Sequence, residues 1–100
     1  MNKVKINIKE ITADLEGWIF LVEVIDGEKI SKHTVSLNKK MFDRLNLNRT
    51  PLEIVEFSFN FLLEKEGKED ILKSFDLSEI PDYFSDFEKK LNSKLKNLKS

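Results

Sequence analysis

The sequence predicts an α+β domain in which a three-stranded antiparallel β-meander precedes a helical region. Strand-like patterns occupy about 3–10, 18–25 and 30–37. Apolar residues then recur at three- and four-residue spacing, which predicts helices at about 39–45, 51–66, 68–75 and 79–98. Because all the strands precede all the helices, the order favours an α+β fold over alternating βαβ units.

The length of 100 residues indicates a single domain, with the meander in 1–37 and the helical part in 38–100. Hydrophobic residues make up 40% of the chain and eight of them are Phe, which argues against disorder. A chain of this size can bury roughly 65% of its unfolded surface without a metal or disulfide.

The first two strands differ in their apolar pattern. Val4, Ile6 and Ile8 alternate with polar and charged residues, as expected for a half-buried edge strand. Trp18 to Ile25 reads WIFLVEVI and is apolar on both faces except at Glu23. This second pattern is typical of a central strand that is covered on both sides.

An Asp26-Gly27 turn joins the second and third strands. A loop from Asp26 to Lys29 places Ile25 opposite Ile30 and Glu23 opposite Lys32, whereas a two-residue Asp-Gly loop gives poorer pairs. Both registers predict the same core face, which carries Trp18, Phe20, Val22, Val24, Val35 and Leu37.

The helix at 51–66 has the clearest boundary signals. Thr50-Pro51-Leu52-Glu53 is a capping box with proline at the first helical position. At 100° per residue, one apolar arc contains Leu52, Val55, Phe59, Leu62 and Leu63. A second arc contains Ile54, Phe57 and Phe61. The helix should therefore be covered from two directions.

The other helices are shorter or more polar. Asn38 can cap a helix that presents Met41, Phe42 and Leu45. Residues 68–75 fit a helix with Ile71, Leu72 and Phe75 inward, and 79–98 fits one amphipathic helix with Pro81 in its first turn. A helix of twenty residues spans roughly 30 Å, so its distal half should project beyond a small domain.

The second half of the chain resembles a family of small, uncharacterised prokaryotic proteins. The matching residues are Phe42-Asp43-Arg44-Leu45, Thr50 to Val55, Phe59 to Glu66, Ile71 to Leu77, and Tyr83-Phe84. They follow the family pattern FxFLLE[KR]E…ILxxFDLxxI…YF. This family has no assigned activity, so the resemblance supplies no catalytic residue. The shared residues are mostly apolar, as a shared core would give.

Composition excludes several kinds of site. The chain has no cysteine, so thiolate metal sites, disulfides and cysteine nucleophiles are excluded. Its three glycines are isolated, so it has no glycine-rich phosphate loop. The N-terminus does not read as a signal peptide, and no apolar run approaches the ~20 residues of a membrane span, which predicts a cytoplasmic protein without a membrane partner.

Catalytic, metal and cofactor sites are not predicted. His33 is the only histidine, and no second histidine or carboxylate cluster accompanies it on a strand. It is expected at the rim of the core with a hydrogen bond. Glu64, Glu66, Glu69 and Asp70 form an acidic run without EF-hand spacing, which we interpret as a solvated surface. The chain is therefore predicted not to be an enzyme.

Lysines provide one candidate binding surface, although 17 basic and 18 acidic residues nearly cancel. Clustered lysines bind phosphates through counterion release. The candidate phosphate contacts lie on the first strand and on the C-terminal segment: Lys3, Lys5, Lys9, Lys89, Lys90, Lys94 and Lys96. They support nucleic-acid binding as the alternative function.

The leading hypothesis is a non-enzymatic protein-interaction module that forms a homodimer and has a regulatory or scaffolding role. It depends on the projecting apolar stripe of the C-terminal helix, which consists of Phe87, Leu91, Leu95 and Leu98. An exposed stripe of this kind needs a partner, and a second copy related by two-fold symmetry is the simplest one.

Overall fold

A four-stranded sheet forms one layer of the protein, with strand order β1-β2-β3-β4. The structure is a computed structural model that describes residues 4–67 and 70–96. Strands β1 (Val4–Asp14), β2 (Gly17–Asp26) and β3 (Lys29–Asn38) form the predicted antiparallel meander. Strand β4 (Ser74–Asp76), which the sequence did not predict, pairs with β3 in parallel. The α+β class is confirmed.

The predicted register of the second hairpin is confirmed, with Ile25 opposite Ile30 and Trp18 opposite Leu37. Pairing continues to Asp26 and Lys29, so the turn is tighter than the predicted loop. Strand β1 runs past its predicted end and contains an irregularity between Glu10 and Thr12. Its turn into β2 is closed by the Glu16 amide, which donates to Asp14 Oδ1 at 2.9 Å.

One face of the sheet forms the core. The predicted residues Phe20, Val22, Val24, Val35 and Leu37 are fully buried there, and Trp18 is half-buried. The prediction that β2 is covered on both sides is wrong for the isolated chain, because no helix within residues 4–67 and 70–96 packs on the opposite face. Ile19 on that face is 37% exposed.

Helices α1 (Lys39–Leu45) and α2 (Pro51–Lys65) begin at the predicted caps. The Met41 amide donates to Asn38 Oδ1 at 2.7 Å. At the start of α2, the Glu53 amide donates to Thr50 Oγ1 at 3.2 Å and the Thr50 amide donates to Glu53 Oε1 at 2.9 Å. Both orphan donors of the capping box are therefore satisfied.

Helix α2 is buried on two sides, as its sequence predicted. On the sheet side, Phe59 packs against His33 and Phe75 at ring-centroid distances of 5.4 and 5.9 Å. On the other side, Phe61 packs against Phe84 and Phe87 at 5.9 and 5.2 Å. The sheet and the C-terminal segment of the same chain supply the two covers.

The predicted helix at 68–75 is wrong over its described residues, whose final part is strand β4. The Thr34 amide donates to the Lys73 carbonyl at 2.8 Å, and Phe75 lies beside Val35 on the core face. Ile71 is buried, but Leu72 is 50% exposed. Pairing with the edge of β3 provides hydrogen bonds for backbone N–H and C=O groups that would lack partners at the ends of a short helix. These tertiary contacts therefore override the helical spacing of the apolar residues.

The predicted continuous helix at 79–98 is also wrong. It is replaced by a 3₁₀ turn (Leu77–Glu79), α3 (Ile80–Tyr83), α4 (Phe87–Leu91) and a π-helical turn (Asn92–Lys96). Phe84 is extended and breaks the helix. The break turns α4 back onto α2, and Arg44 on α1 holds Glu88 on α4 through two hydrogen bonds of 2.8 and 2.9 Å. The C-terminal segment therefore packs on the domain and does not project over its described length.

Two turn glycines provide a matched test of this geometry. Both have positive φ, 144° at Gly17 and 65° at Gly27. A methyl group at Gly17 would collide with the Leu37 carbonyl oxygen, whereas one at Gly27 would meet open space. We expect Gly27→Ala to lower the free energy of unfolding by about 1 kcal/mol and Gly17→Ala by roughly 3 kcal/mol. Urea denaturation measures both losses, and equal losses would contradict the close approach at Gly17.

Candidate functional site

His33 is fixed inside the core. Its side chain is 2% exposed, so it is more deeply buried than the predicted rim position. Nδ1 lies 2.8 Å from the Leu72 carbonyl oxygen, which can only accept, so Nδ1 carries a proton. Nε2 forms a hydrogen bond of 3.0 Å with the Ser31 hydroxyl. Both ring nitrogens are occupied, and this arrangement ties β3 to the segment before β4.

Asp76 is the carboxylate with the most hydrogen bonds in the described part of the chain. It accepts from Ser36 Oγ at 2.6 Å, Asn38 Nδ2 at 3.0 Å, and the Ser78 hydroxyl and amide at 2.6 and 3.0 Å. Burial alone would raise the pKa of the Asp76 carboxyl, but these hydrogen bonds outweigh it and hold that pKa below its usual value. Through these hydrogen bonds the Asp76 carboxylate links β4 to β3 and to the turn that follows β4.

The predicted acidic run does not act as one cluster. Glu64 lies on α2 toward α4, whereas Glu66 and Asp70 lie beyond the end of α2. Glu69 lies outside the described residues. Within residues 4–67 and 70–96, no group of three or more histidine or acidic side chains is placed to hold a metal ion.

The side chains predicted to form a dimer interface are largely used by the chain itself. Phe87 and Leu91 are fully buried in the core, and Leu95 is half-buried against it. The Arg49 guanidinium donates to the Leu95 carbonyl oxygen at 3.2 and 3.3 Å. Leu98 lies outside the described residues. The prediction of a projecting apolar stripe is therefore wrong over its described part, Phe87 to Leu95, while the oligomeric state stays a prediction.

The predicted phosphate contacts fall on different sides of the molecule. Lys5 and Lys9 pair with Ile25 and Leu21, so they share the sheet face that carries no helix. The second set lies on the helical side and consists of Lys89, Lys90 and Lys94. Lys3 and the side chain of Lys96 lie outside the described residues.

We define the outer sheet face as the uncovered side of the central strands, with Ile19, Leu21, Ile25 and Ile30 at its centre. Ile30 is 57% exposed, and Leu21 and Ile25 are half-buried. The lysines of β1 flank one side of this face. On the other side, the register places Lys32, which lies opposite Glu23, and the hydroxyl residues Thr34, Ser36 and Ser74 of β3 and β4.

A second surface is an apolar cleft at the carboxyl end of α2, with a volume of about 170 Å³. Leu62, Ile71 and Ile80 are among the residues of its floor, and its rim consists of Glu66, Asp70, Glu79 and Tyr83. Burial, and then the neighbouring charge of Asp70, raise the pKa of Glu66.

A third surface is a lysine groove of about 640 Å³ between α2 and α4. Phe57 and Phe61 contribute its aromatic side, and the three lysines of the α4 region line the other. Asp86 also reaches this groove, but Lys65 Nζ lies 3.2 Å from its Oδ2 atom. The Lys65 side chain lowers the pKa of Asp86 by hydrogen bonding to it.

A scan against protein-family models found no match to this chain, and searches of curated proteins and of solved structures also found none. Among the described residues, no helix has the length and apolar character needed to span a membrane. The three surfaces defined above are therefore the candidate binding sites of the described residues.

Sequence reasoning missed the apolar cleft because it depends on the break in the C-terminal helix and on β4. The outer sheet face did leave a signal in the sequence, namely apolar residues on both sides of β2.

The Asp76 network predicts a specific pH dependence. The pKa of Asp76 is lower in the folded protein than in the unfolded chain, so its ionised form stabilises the fold above about pH 4. This contribution is lost as the pH falls through the folded-state pKa. We expect the difference in unfolding free energy between the natural protein and Asp76→Asn to be largest near neutral pH and to shrink in acid.

Urea denaturation between neutral pH and pH 3 measures this difference. Asp82→Asn provides the matched control, because Asp82 is exposed. A difference in unfolding free energy between Asp76→Asn and the natural protein that stays constant from neutral pH to pH 3 would contradict the lowered pKa of Asp76.

Proposed function

We propose that this protein is a non-enzymatic protein-interaction module that forms a homodimer through its outer sheet face, in a regulatory or scaffolding role. The observation that supports this most directly is the pattern of β2. Three of the four outward side chains between Ile19 and Ile25 are apolar, and Glu23 is the exception. Antiparallel sheets with one solvated face normally carry polar residues there.

The best candidates for chemistry support a non-enzymatic role. Both nitrogens of His33 are engaged in the core. The carboxylate of Asp76 is surrounded by structural donors. Neither group lines the apolar cleft or the lysine groove.

A second copy of the chain is the partner that fits the outer sheet face. A two-fold axis that runs parallel to β2 between two such faces places the central isoleucines and leucine against each other. It also places β1 of one copy over β3 of the other. The register then sets Lys9 opposite Thr34 and Lys5 opposite Ile30, whereas an axis perpendicular to the strands would set lysine against lysine.

The face is small for a stable interface. Three long strands of about ten residues cover an area of roughly 500 Å², given a rise of about 3.4 Å per residue and a strand spacing of about 4.8 Å. Standard interfaces bury about 800 Å² per partner. We therefore expect a dimer that dissociates on dilution.

Substitutions on the outer sheet face test this proposal. Ile30→Lys, alone and together with Ile19→Lys, adds charge to a face that already carries lysines. We expect the double variant to weaken the dimer by at least roughly tenfold, as measured by sedimentation equilibrium from micromolar to millimolar concentration. Leu15→Lys is the matched control, because Leu15 is 94% exposed in the β1–β2 turn and lies off this face.

A monomer at millimolar concentration would contradict the proposed dimer, and so would a double variant that dimerises as well as the natural chain. Truncation of the C-terminal segment is not a useful test, because Leu91 belongs to the core and its removal would unfold the protein.

Nucleic-acid binding is the second candidate, and the lysine groove is the observation that favours it. Lys89, Lys90 and Lys94 lie along one groove with the half-buried ring of Phe57. Lysines can contact phosphates while a base stacks on an aromatic ring. The separation of these lysines from those of β1 limits such a site to the groove itself.

We expect Lys89→Gln/Lys94→Gln to weaken binding of a fluorescent mixed-sequence single-stranded oligonucleotide at low salt, as measured by fluorescence anisotropy. If each lysine contacts one phosphate, the slope of log affinity against log salt should fall in magnitude by roughly 1.4. Lys40→Gln, an exposed lysine on α1, is the control. Absence of binding at low salt, or an equal loss in the control, would exclude this candidate.

A further inference from the structure

The residues of the apolar cleft belong neither to the proposed dimer interface nor to the lysine groove. It lies where α2 ends and the chain turns into β4 and α3. Its floor consists of side chains that the core holds in place, since Leu62, Ile71 and Ile80 are each 3–4% exposed. Tyr83 stands at its edge with 69% of its surface exposed. The cleft is therefore preformed, with an apolar base and an aromatic wall.

Two carboxylates at the rim are open to a ligand. The third rim carboxylate, Glu79, already accepts from the Asp76 amide at 3.0 Å in a capping box. Glu66 and Asp70 form no side-chain hydrogen bond or ion pair among the described residues. The charge of Asp70 adds to burial in raising the pKa of Glu66.

The position of Glu66 makes the cleft still more negative. Glu66 is the C-cap of α2, a helix of 15 residues, and helix carboxyl ends carry a partial negative charge. An acidic side chain is unfavourable there, whereas a bound cation would be stabilised by the helix end and by both carboxylates. No basic side chain lines the cleft in the described part of the chain.

The size of the cleft indicates which kind of cation fits. Small-molecule sites usually measure about 300–1,000 Å³. At about 170 Å³, this cleft is suited to one long side chain and not to a cofactor. A side chain with an apolar stem and a cationic head would cover the floor with its stem and reach the carboxylates with its head.

We propose that the apolar cleft binds an arginine side chain of a partner protein. The planar guanidinium can donate to Glu66 and Asp70 together, and it can stack on the Tyr83 ring. A lysine ammonium has no planar face to stack and fewer donors. The exposed Leu72 next to the cleft provides a contact for an apolar residue beside the arginine, so the ligand is a segment of polypeptide and not a free amine.

Titration of the ¹⁵N-labelled full-length protein tests this proposal. The probes are N-acetyl-arginine amide, N-acetyl-citrulline amide and a pentapeptide with one arginine between two leucines. Citrulline has nearly the same shape as arginine and no charge. We expect the arginine amide to shift the amide signals of Ile71, Ile80 and Tyr83 with millimolar affinity, the peptide to bind more tightly, and citrulline to leave those signals in place.

Variants locate the site. The double variant Glu66→Gln/Asp70→Asn should weaken binding of the peptide by at least roughly tenfold. Higher salt should weaken binding of the same peptide to the natural chain, because it screens the two carboxylates. Glu56→Gln is the matched control, because Glu56 is an exposed carboxylate on α2 outside the cleft.

Each remaining outcome overturns the proposal. Equal shifts with citrulline would show that the charge is not recognised. Binding of the arginine amide without tighter binding of the peptide would indicate a free small molecule as the ligand. No shift with any probe would show that the cleft does not bind arginine, and that result would leave the proposed dimer through the outer sheet face intact.

Discussion

The structure depends on the need to bury helix α2 on two sides. Phe59 and Phe61 lie on different arcs of this helix, and no single layer can cover both. The sheet covers Phe59, so the rest of the chain has to return across the far side of α2 to cover Phe61. The break at Phe84 makes that return possible, because it turns the C-terminal segment back onto the helix. The segment that the sequence predicted to project is therefore part of the core.

Because the C-terminal segment packs on the far side of α2, the described helices cover only the core face of the sheet. These helices pack on the side of the sheet that contains Phe20 and Val35. The outward isoleucines of β2 and β3 then stay at the surface. A sheet that has apolar residues on both faces but is covered on only one gives a physical reason to expect association. The C-terminal stripe gives no such reason, because Phe87 and Leu91 are buried.

Much of the fold could be predicted because its signals are local. The capping box at Thr50 and the register of the β2–β3 hairpin involve residues close in sequence, and each was predicted correctly. Strand β4 and the broken C-terminal helix could not be predicted in this way. The pairing of Phe75 with Val35 and the packing of Phe84 on Phe61 join residues far apart in the chain. The apolar cleft arises from these distant contacts, so the sequence pattern gave no sign of it.

The acidic and basic residues of the chain nearly cancel in number, but the fold places them on different surfaces. Acidic residues gather at the carboxyl end of α2, and lysines gather on the outer sheet face and along α4. Local rules favour basic residues at a helix carboxyl end, so Glu66 and Asp70 conflict with the helix that they follow. Conflicts of this kind are expected at functional sites, because a ligand can compensate for them when it binds. The cleft is therefore the place where a partner cation would remove a cost that the isolated chain carries.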